Sequence, residues 1–246
     1  MVSFAARLFN NVKCELNAVK LSRAMLSLPR HVDLDRQAVV RTALRVLDKT
    51  GLEGLTVRKI ASELHVQAPA LYWHFKNKRE LLDEMATTVF ADSIRESGLP
   101  AQDIPWFAWA SEYATRLRQT LLRYRDGARM FGGRYLTDSS LYAPMESALQ
   151  KFVDDGFSLS DATTVLSTLY CYVIGFTIEE QAVFPRRGKR NKRYDPANRK
   201  KRMDANKFPL SIAASSEAFA EFDKRFARGI ELILRGTGPK APGEST

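Results

Sequence analysis

Apolar side chains recur along most of this chain at intervals of three and four residues, which places them on one face of an α-helix. The pattern predicts helices over residues 35–49, from Thr56, from Pro69, and over 77–97, 104–124, 126–132, 138–155, 159–183 and 213–235, with one more around Phe4 to Ala18. No long segment alternates apolar and polar positions as a half-buried strand does. The predicted fold class is therefore all-α.

Two of these predicted helices, between Leu52 and Lys78, are short and separated by a tight connection. Thr56 can cap the first by accepting amide hydrogen bonds from its first turn. Pro69 suits the first turn of the second, where a missing amide costs little. A helix of about two turns is unstable alone, so its neighbours must hold it. This is the design of a helix-turn-helix, whose second helix enters the major groove of DNA.

The second short helix carries Tyr72, Trp73 and His74 where a solvent-facing helix normally shows Glu and Lys. Large aromatic side chains on an exposed helix indicate a partner surface, and the helix pair indicates that the partner is DNA. In many all-helical domains, however, such aromatics belong to the core. Trp73 in particular is equally compatible with partial burial against the helix over 35–49.

The net charge of +10 lies mostly outside the predicted helix-turn-helix. Residues 31–90 carry nine basic and eight acidic side chains, a net charge of only +1. Residues 185–202, PRRGKRNKRYDPANRKKR, carry ten basic and one acidic side chain, a net charge of +9. Phosphate contacts near the helix-turn-helix must therefore come from individually placed groups rather than from a broad basic field. The candidates are Arg41, Arg45, Lys76 and Lys78.

Length and composition restrict the class of protein. At 246 residues, with 45% hydrophobic and 27% charged side chains, the chain suits a soluble protein with one DNA-reading domain and one larger helical domain. The longest apolar stretch, Leu169 to Ile178, is about half of a membrane span, so no membrane insertion is expected. Cys14 and Cys171 give no disulfide framework, which favours a reducing cytoplasm.

Enzymatic chemistry has no support in the residue pattern. The three histidines, His31, His65 and His74, have no metal-ligand spacing, and neither a nucleophile elbow nor a phosphate-binding glycine loop is present. We therefore expect no catalytic residues, no metal and no cofactor. The competing class is a helical protein-binding or architectural module, which would not need the residues of the second short helix.

The stretch Leu34 to Leu82 resembles the DNA-binding domain of the tetracycline-repressor (TetR) family. The resemblance rests on LDRQAVVRTALRVLDKTG, GLEGLTVRKIASELHV and PALYWHFKNKRELL, which cover about 50 residues without a gap. The later stretches YRDGARMF and DDGFSLSDATTVLS resemble the regulatory domain of the tetracycline repressor's own subgroup. The resemblance implies a dimeric transcriptional regulator that leaves a palindromic DNA operator when a small molecule binds. An activator remains open, because the direction of regulation depends on operator position.

Carried over by position, the resemblance implies separate roles for the residues that would contact DNA. Arg58, Gln67, Pro69 and Ala70 are expected at bases, and Tyr72, His74 and Lys78 at phosphates. The complete set of implied DNA-binding residues is Thr56, Arg58, Gln67, Ala68, Pro69, Ala70, Tyr72, Trp73, His74 and Lys78. His65, Ala68 and Ala70 depart from the subgroup's pattern, so the operator is expected to differ from the tetracycline operator.

The resemblance also implies a dimer interface and a ligand pocket in the second domain. The helices over 159–183 and 213–235 have wide apolar faces and are the expected contributions of each subunit to a four-helix interface. The alternative is that both faces are ordinary core. The implied pocket combines aromatic groups with polar anchors. Its candidate residues are Trp109, Tyr113, Phe131, Arg134, Tyr135, Tyr170, Ile174 and Glu179.

One departure concerns the ligand. Tetracycline repressors bind a magnesium–drug chelate through a histidine, and Phe131 stands at the matching position here. Glu179 is retained, but one carboxylate without the imidazole is a poor metal site. Metal-dependent tetracycline binding is therefore not expected. Arg134 stands where the subgroup has Thr and suggests an anionic or polyketide-like ligand.

The predicted organisation has three parts. Residues 1–32 are a poorly ordered basic extension, for which a late start at Met25, a DNA-touching arm or an organellar transit peptide are alternatives. Residues 33–93 form the DNA-binding domain, with the helix-turn-helix motif at about 56–75. Residues 94–246 form the regulatory domain, with a basic mobile loop at 185–207. That loop is expected to gate the pocket, to attract phosphates or to be solvated without a role.

Overall fold

The computed structural model describes residues 34–238 except 187, 196, 199–202 and 205, and it leaves the side chains of residues 215 and 216 undescribed. The extension over 1–32, including the helix predicted around Phe4 to Ala18, lies outside the described residues. Within the described residues the secondary structure is helical apart from turns and one isolated bridge, which confirms the all-α prediction.

Four helices form the amino-terminal part, and they are α1 (Arg36–Thr50), α2 (Val57–Glu63), α3 (Ala68–Leu71) and α4 (Lys78–Ser97). The helix α1 packs on both α2 and α4 through a stripe that includes the fully buried Val39, Ala43 and Leu47. It ends at Gly51, whose φ of 75° is the left-handed conformation that closes a helix. These residues build a small core around a short helix pair.

The helices of the larger part whose bounds the structure describes are α5 (Trp106–Leu122), α6 (Gly127–Phe131), α7 (Tyr142–Asp154), α8 (Leu159–Val183), α9 (Pro209–Ala218) and α10 (Phe222–Arg235). Short 3-10 turns lie at Ser139–Leu141 and Lys192–Tyr194. The helix α8 lies at the centre, packed against α5, α6, α7 and α10. Pro105 begins α5, and Ser158 caps α8 by accepting a hydrogen bond from the amide of Asp161.

The helix predicted over 213–235 is two helices, so that prediction was wrong. The helix α9 ends at Ala218, and Glu221, with a φ of 47°, precedes α10 in the left-handed region. Two arginines donate hydrogen bonds to backbone carbonyl groups at this break. Arg190 donates to the carbonyl of Phe219, and Arg225 donates to the carbonyl of Ala218. These side-chain hydrogen bonds satisfy carbonyl groups that a continuing helix would pair internally. The local sequence pattern does not predict them.

The helix α8 is long and apolar enough, by length and composition alone, to cross a membrane, with a mean hydropathy of 1.2 in its most apolar window. A core helix meets the same criteria, and Leu169, Val173 and Val183 of α8 are fully buried. Its carboxyl-terminal half also carries Glu180 in an ion pair with Arg118 of α5. This single helix is weak support for membrane insertion.

Arg118 joins three helices at the core of the larger part. Its guanidinium donates two hydrogen bonds of 2.7 Å to the carboxylate of Glu180 on α8 and lies 2.8 Å from Asp223 on α10. It also lies 4.9 Å from the ring centre of Phe226. The Arg118 side chain is only 6% exposed, so these groups replace the water that a charged side chain would otherwise bind.

Candidate nucleic-acid interface and regulatory site

The turn between α2 and α3 is set by local backbone hydrogen bonds. Thr56 caps α2 by accepting a hydrogen bond from the amide of Lys59, as the sequence predicts. At the other end, the amide of Val66 donates to Ala61 and that of His65 donates to Ser62, the pair of bonds that defines a Schellman motif. This motif requires a left-handed residue, and His65 supplies it with a φ of 57°.

His65→Gly is expected to raise the free energy of unfolding by up to about 1 kcal/mol, because a left-handed conformation costs an L-residue more than that and glycine's looser unfolded state offsets part of the gain. Urea unfolding measures the change. His65→Val is the opposite control and is expected to destabilise, since a β-branched side chain tolerates this conformation poorly. A glycine variant less stable than the parent would contradict the conformational explanation.

The helix α3 is a single turn, shorter than the predicted two, and continues as a turn to Phe75. Leu71 and Phe75 are buried and anchor it to the core. Trp73 is 88% exposed and Tyr72 is 57% exposed. The alternative that Trp73 is partly buried against α1 is therefore wrong. Two aromatic side chains project from a rigidly anchored turn into solvent, an arrangement that needs a partner surface.

Arg36 of α1 clamps the carboxyl-terminal end of this turn, a role that the sequence analysis missed. Its guanidinium donates to the backbone carbonyl of His74 and to the carboxylates of Glu80 and Glu84 at 3.1 and 3.2 Å. It also lies 4.3 Å from the ring centre of Phe75. The clamp joins α1, the turn after α3, and α4. In the sequence, the only sign of this role is the position of Arg36 early in α1.

The predicted DNA-binding residues lie between the amino-terminal cap of α2 and the first residue of α4. Most of their side chains are exposed, and those of Ala68, Ala70 and His74 are half-buried. Gln67 begins α3 and makes no side-chain capping bond, so its amide is free to contact a base edge. The exposed members are Thr56, Arg58, Gln67, Pro69, Tyr72, Trp73 and Lys78.

The four candidate phosphate-contacting cations divide into two pairs. Lys76 and Lys78 are exposed beside α3. Arg41 instead forms a bidentate pair with Asp92 of α4, and this hydrogen bonding lowers the pKa of the Asp92 carboxyl. Arg45 donates to the hydroxyl of Thr42. Arg41 is therefore engaged inside the protein and is removed from the phosphate candidates.

The residues before α6 connect the larger part of the protein to the helix-turn-helix. Asp126 accepts a hydrogen bond of 2.9 Å from the amide of Leu52, in the connection between α1 and α2. Arg129 pairs with Glu53 at 2.6 Å. Gly127 is required at this point, since a Cβ there would lie 2.1 Å from the carbonyl oxygen of Leu121. These contacts tie the start of α6 to the connection between α1 and α2.

Five of the predicted ligand-binding residues meet in one aromatic cluster. Trp109 and Tyr113 of α5 stack with ring centres 5.3 Å apart, and Phe131 of α6 lies 6.4 Å from Tyr170 of α8. Ile174, the fifth, is buried one turn after Tyr170. Burial raises the pKa of Tyr113 to about 12. The five residues come from α5, α6 and α8, with Trp109, Phe131 and Ile174 buried and Tyr113 and Tyr170 half-buried.

The other three predicted ligand-binding residues either face solvent or make polar contacts of their own. Tyr135 is 68% exposed, and Glu179 is exposed on α8, whereas its neighbour Glu180 faces the core. Arg134 donates to the carbonyl of Met130 and lies 3.9 Å from Asp83. The structure therefore does not place Tyr135 or Glu179 beside the aromatic cluster, and Arg134 has partners of its own.

The aromatic cluster contains one unpartnered donor. The indole Nε1 of Trp109 is buried and has no hydrogen-bond partner among the described residues. A buried donor of this kind is uncommon and calls for an acceptor. Among the cavities that lie elsewhere in the described structure, one of about 420 Å³ lies between α5 and α10, and one of about 890 Å³ lies beside Arg118, Tyr124 and Arg186. Neither is lined by residues of the cluster.

The position that the resemblance assigns to a metal ligand does not suit one. Phe131 is buried in the aromatic cluster and offers no donor atom. Across the part of the chain that the structure describes, no group of three or more His, Cys, Asp or Glu residues is placed to hold a metal ion. The side chain at position 131 therefore cannot coordinate a metal ion.

Comparison with known proteins agrees with this architecture. The profile described as "Tetracyclin repressor-like, C-terminal domain" matches residues 99–239, and that described as "Bacterial regulatory proteins, tetR family" matches residues 39–85. The chain is 36% identical over 207 residues to the class A tetracycline repressor from transposon 1721 of Escherichia coli. The match covers 82% of this chain and 90% of the repressor.

Two solved structures show the same fold. A possible TetR family transcriptional regulator from Streptomyces coelicolor A3(2) has a TM-score of 0.71 and 32% identity, covering 82% of this chain and 98% of that one. ActR from Streptomyces coelicolor, in complex with (S)-DNPA, has a TM-score of 0.65 and 27% identity, covering 82% and 96%. These relatives are transcriptional regulators rather than enzymes. The chain belongs to the TetR family of ligand-responsive transcriptional repressors and has the family's DNA-binding helix-turn-helix domain.

Proposed function

We propose that this protein is a cytoplasmic homodimer that represses transcription by binding a palindromic operator and releases it when a small molecule binds in the helical domain. The observation that carries the proposal is the solvent-exposed face of α3, anchored by Leu71 and Phe75 and clamped by Arg36. We place the functional boundary between the DNA-binding and regulatory domains near residue 93, inside α4. An activator would use the same contacts at a different operator position.

On this proposal the exposed residues have divided roles. Arg58 and Gln67 are long polar side chains that suit hydrogen bonds to guanine and adenine edges, and Pro69 and Ala70 suit thymine methyl groups. Tyr72, His74 and Lys78 are assigned to phosphates and fix the register. The backbone carbonyl of His74 is held by Arg36, which supports a fixed geometry for these contacts.

The proposed dimer interface uses exposed faces of α8 and α10. Thr164, Thr168, Cys171 and Gly175 form an exposed stripe of small residues along α8, which would permit close approach of a second helix. On α10, Leu232 is exposed. One recognition helix reads too few base pairs to be selective, so a second copy is needed. Light scattering is expected to give twice the chain mass of 27.8 kDa, and the single-chain mass would contradict the dimer.

The proposed ligand site is the aromatic cluster around Trp109. Its unpartnered indole N–H suits an acceptor oxygen on a flat, mostly apolar ligand, since pockets of this type combine apolar walls with few polar groups. Tyr113, whose pKa burial raises to about 12, keeps its hydroxyl proton at neutral and moderately alkaline pH and offers a second hydroxyl. Arg134 lies at the end of α6 and suits an anionic substituent.

Tetracycline with magnesium is not expected to bind at micromolar concentrations, because Phe131 supplies no metal ligand and Glu179 alone is a poor metal site. Isothermal titration with tetracycline, in the presence of magnesium and then of a chelator, tests this. The variant Phe131→His places an imidazole at the position where tetracycline repressors have one. Magnesium-dependent micromolar affinity in the parent protein would overturn the prediction.

Selection of bound DNA from a random duplex pool tests the proposed function directly. We expect a two-fold symmetric site whose half-sites are spaced by about one or more helical turns. A helical protein-binding module, the competing class, would enrich no sequence. Trp73→Ala is the matched variant, because an exposed aromatic contributes little to folding while it would contact the DNA. Recovery of no symmetric site would overturn both the operator and the dimer.

A further inference from the structure

The basic segment, residues 185–202, has no role in the function proposed above. It follows α8 and carries a net charge of +9 in eighteen residues. Repulsion between like charges at this density opposes compact structure, which is why the sequence predicts a mobile loop. Any fixed contacts that the segment makes therefore help to locate its basic side chains.

The described beginning of the basic segment is folded onto the end of α8. The backbone amide of Asn191 donates to Val183, and its side-chain amide donates to Ala182. Arg190 donates to Phe219 and lies 4.8 Å from the ring centre of Phe184. An isolated antiparallel bridge joins Arg186 and Lys189. The segment therefore leaves the core in a defined direction.

Arg186 ties this folded part to the DNA-binding domain. Its guanidinium Nη2 donates to the carbonyl oxygens of Asp48 and Lys49, at 3.1 and 3.0 Å. Both carbonyls belong to the last turn of α1, where they lack partners within the helix and where the helix dipole favours a cation. The contact fixes the start of the basic segment beside the helix that supports α2.

This position is close to a proposed phosphate contact. The Nζ atom of Lys78 lies 3.5 Å from the carbonyl oxygen of Leu52. Leu52 follows Lys49 by three residues. Since three residues span at most about 11 Å, the Arg186 guanidinium and the Lys78 ammonium are separated by at most roughly 17 Å. Such a distance corresponds to a few phosphates along one DNA strand.

Three cations of the segment are available for such contacts. Lys189, Lys192 and Arg193 are exposed, and within the described part of the chain none of them pairs with a carboxylate. Arg186 and Arg190, by contrast, are engaged by backbone carbonyls. The DNA-binding region over 31–90 has a net charge of only +1, so its basic side chains exceed its acidic ones by only one.

We propose that Lys189, Lys192 and Arg193 contact the DNA phosphodiester backbone next to each operator half-site, so that the regulatory domain itself contributes to DNA affinity. The inference rests on the DNA binding proposed above. Phosphate contacts release counterions and carry no base information. The segment therefore adds affinity without altering the preferred sequence.

The test compares the full-length protein with a triple variant, Lys189→Gln, Lys192→Gln and Arg193→Gln, on the selected operator. Affinity is measured against salt concentration on a duplex with long flanks. Each lost phosphate contact lowers the logarithmic salt slope by about 0.9, so the triple variant is expected to lose about 2.7 per protomer bound. A duplex trimmed to the operator is expected to abolish the difference between the two proteins.

The matched control keeps the charges: Lys189→Arg, Lys192→Arg and Arg193→Lys are expected to leave the slope unchanged. Circular dichroism and the thermal midpoint show that both variants fold, as exposed positions allow. An unchanged slope in the glutamine variant, or an equal loss on the trimmed duplex, would overturn the inference while leaving operator binding intact. Absence of any operator complex with the parent protein would instead overturn the proposed function.

Discussion

Glu180→Leu is expected to lower the free energy of unfolding by about 3–5 kcal/mol, because it leaves the buried guanidinium of Arg118 without its main partner. Glu180 accepts both short hydrogen bonds from that group, and the Arg118 side chain is only 6% exposed. The pair also holds α5 against α8, so the loss affects the packing of the whole regulatory domain. Urea unfolding followed by circular dichroism measures the change.

Two further variants separate the buried ion pair from general disruption of packing. The double variant Arg118→Met with Glu180→Leu is expected to recover most of the lost stability, since apolar groups of similar volume remove both charges from the core. Asp223→Asn removes a carboxylate that also pairs with Arg118 but is 93% exposed, and its effect is expected to stay below about 1 kcal/mol. A Glu180→Leu effect as small as that of Asp223→Asn would contradict the interpretation.

Arg58→Ala is expected to reduce discrimination at one base pair of each half-site by about 1–3 kcal/mol, a loss of roughly 5- to 150-fold in selectivity. Arg58 is exposed on α2, and its side chain makes no ion pair or hydrogen bond within the described residues. The variant should therefore fold normally. Competition binding with every single-base substitution of the selected operator measures the change.

Lys78→Ala is the comparison for this experiment, since a phosphate contact should weaken binding to all sequences equally and reduce the salt slope by about 1. Lys59→Ala removes one positive charge from the exposed position next to Arg58 on α2. If Arg58→Ala weakened every sequence equally, as expected for Lys78→Ala, the assignment of Arg58 to base contacts would be wrong.

Local signals in the sequence are sufficient for much of the fold. Apolar periodicity predicts a helix over 159–183, and α8 runs over Leu159–Val183. Thr56 caps its helix as predicted, and Asn77 caps α4 by accepting a hydrogen bond from the amide of Glu80. Caps and periodic faces depend on residues a few positions apart, so a single sequence contains them completely.

Contacts between distant segments could not be predicted in the same way. Glu179 and Glu180 are adjacent acids on one helix, and about 100° of rotation separates their side chains. Only the packing of α5 and α10 against α8 decides that Glu180 faces Arg118 and Glu179 faces solvent. The break between α9 and α10 likewise depends on Arg190, almost thirty residues away.

The exposed aromatic residues of the helix-turn-helix also show which properties the sequence predicts and which depend on contacts between distant segments. Their presence on a short helix is visible in the sequence, but the exposure of Trp73 depends on how α3 meets α1. Arg36, Leu71 and Phe75 decide that orientation together. Burial and projection are properties of the assembled core, and a helical pattern of one turn is too short to define an apolar face.

Anchoring α3 only through Leu71, Phe75 and the Arg36 clamp has an evolutionary consequence. The positions that face outward, Gln67, Pro69, Tyr72 and Trp73 among them, share few contacts with the anchors, so most substitutions there should be nearly neutral for folding. New operator preferences can then arise without compensating changes elsewhere. A lineage can redirect the regulator to different genes while its scaffold remains the same.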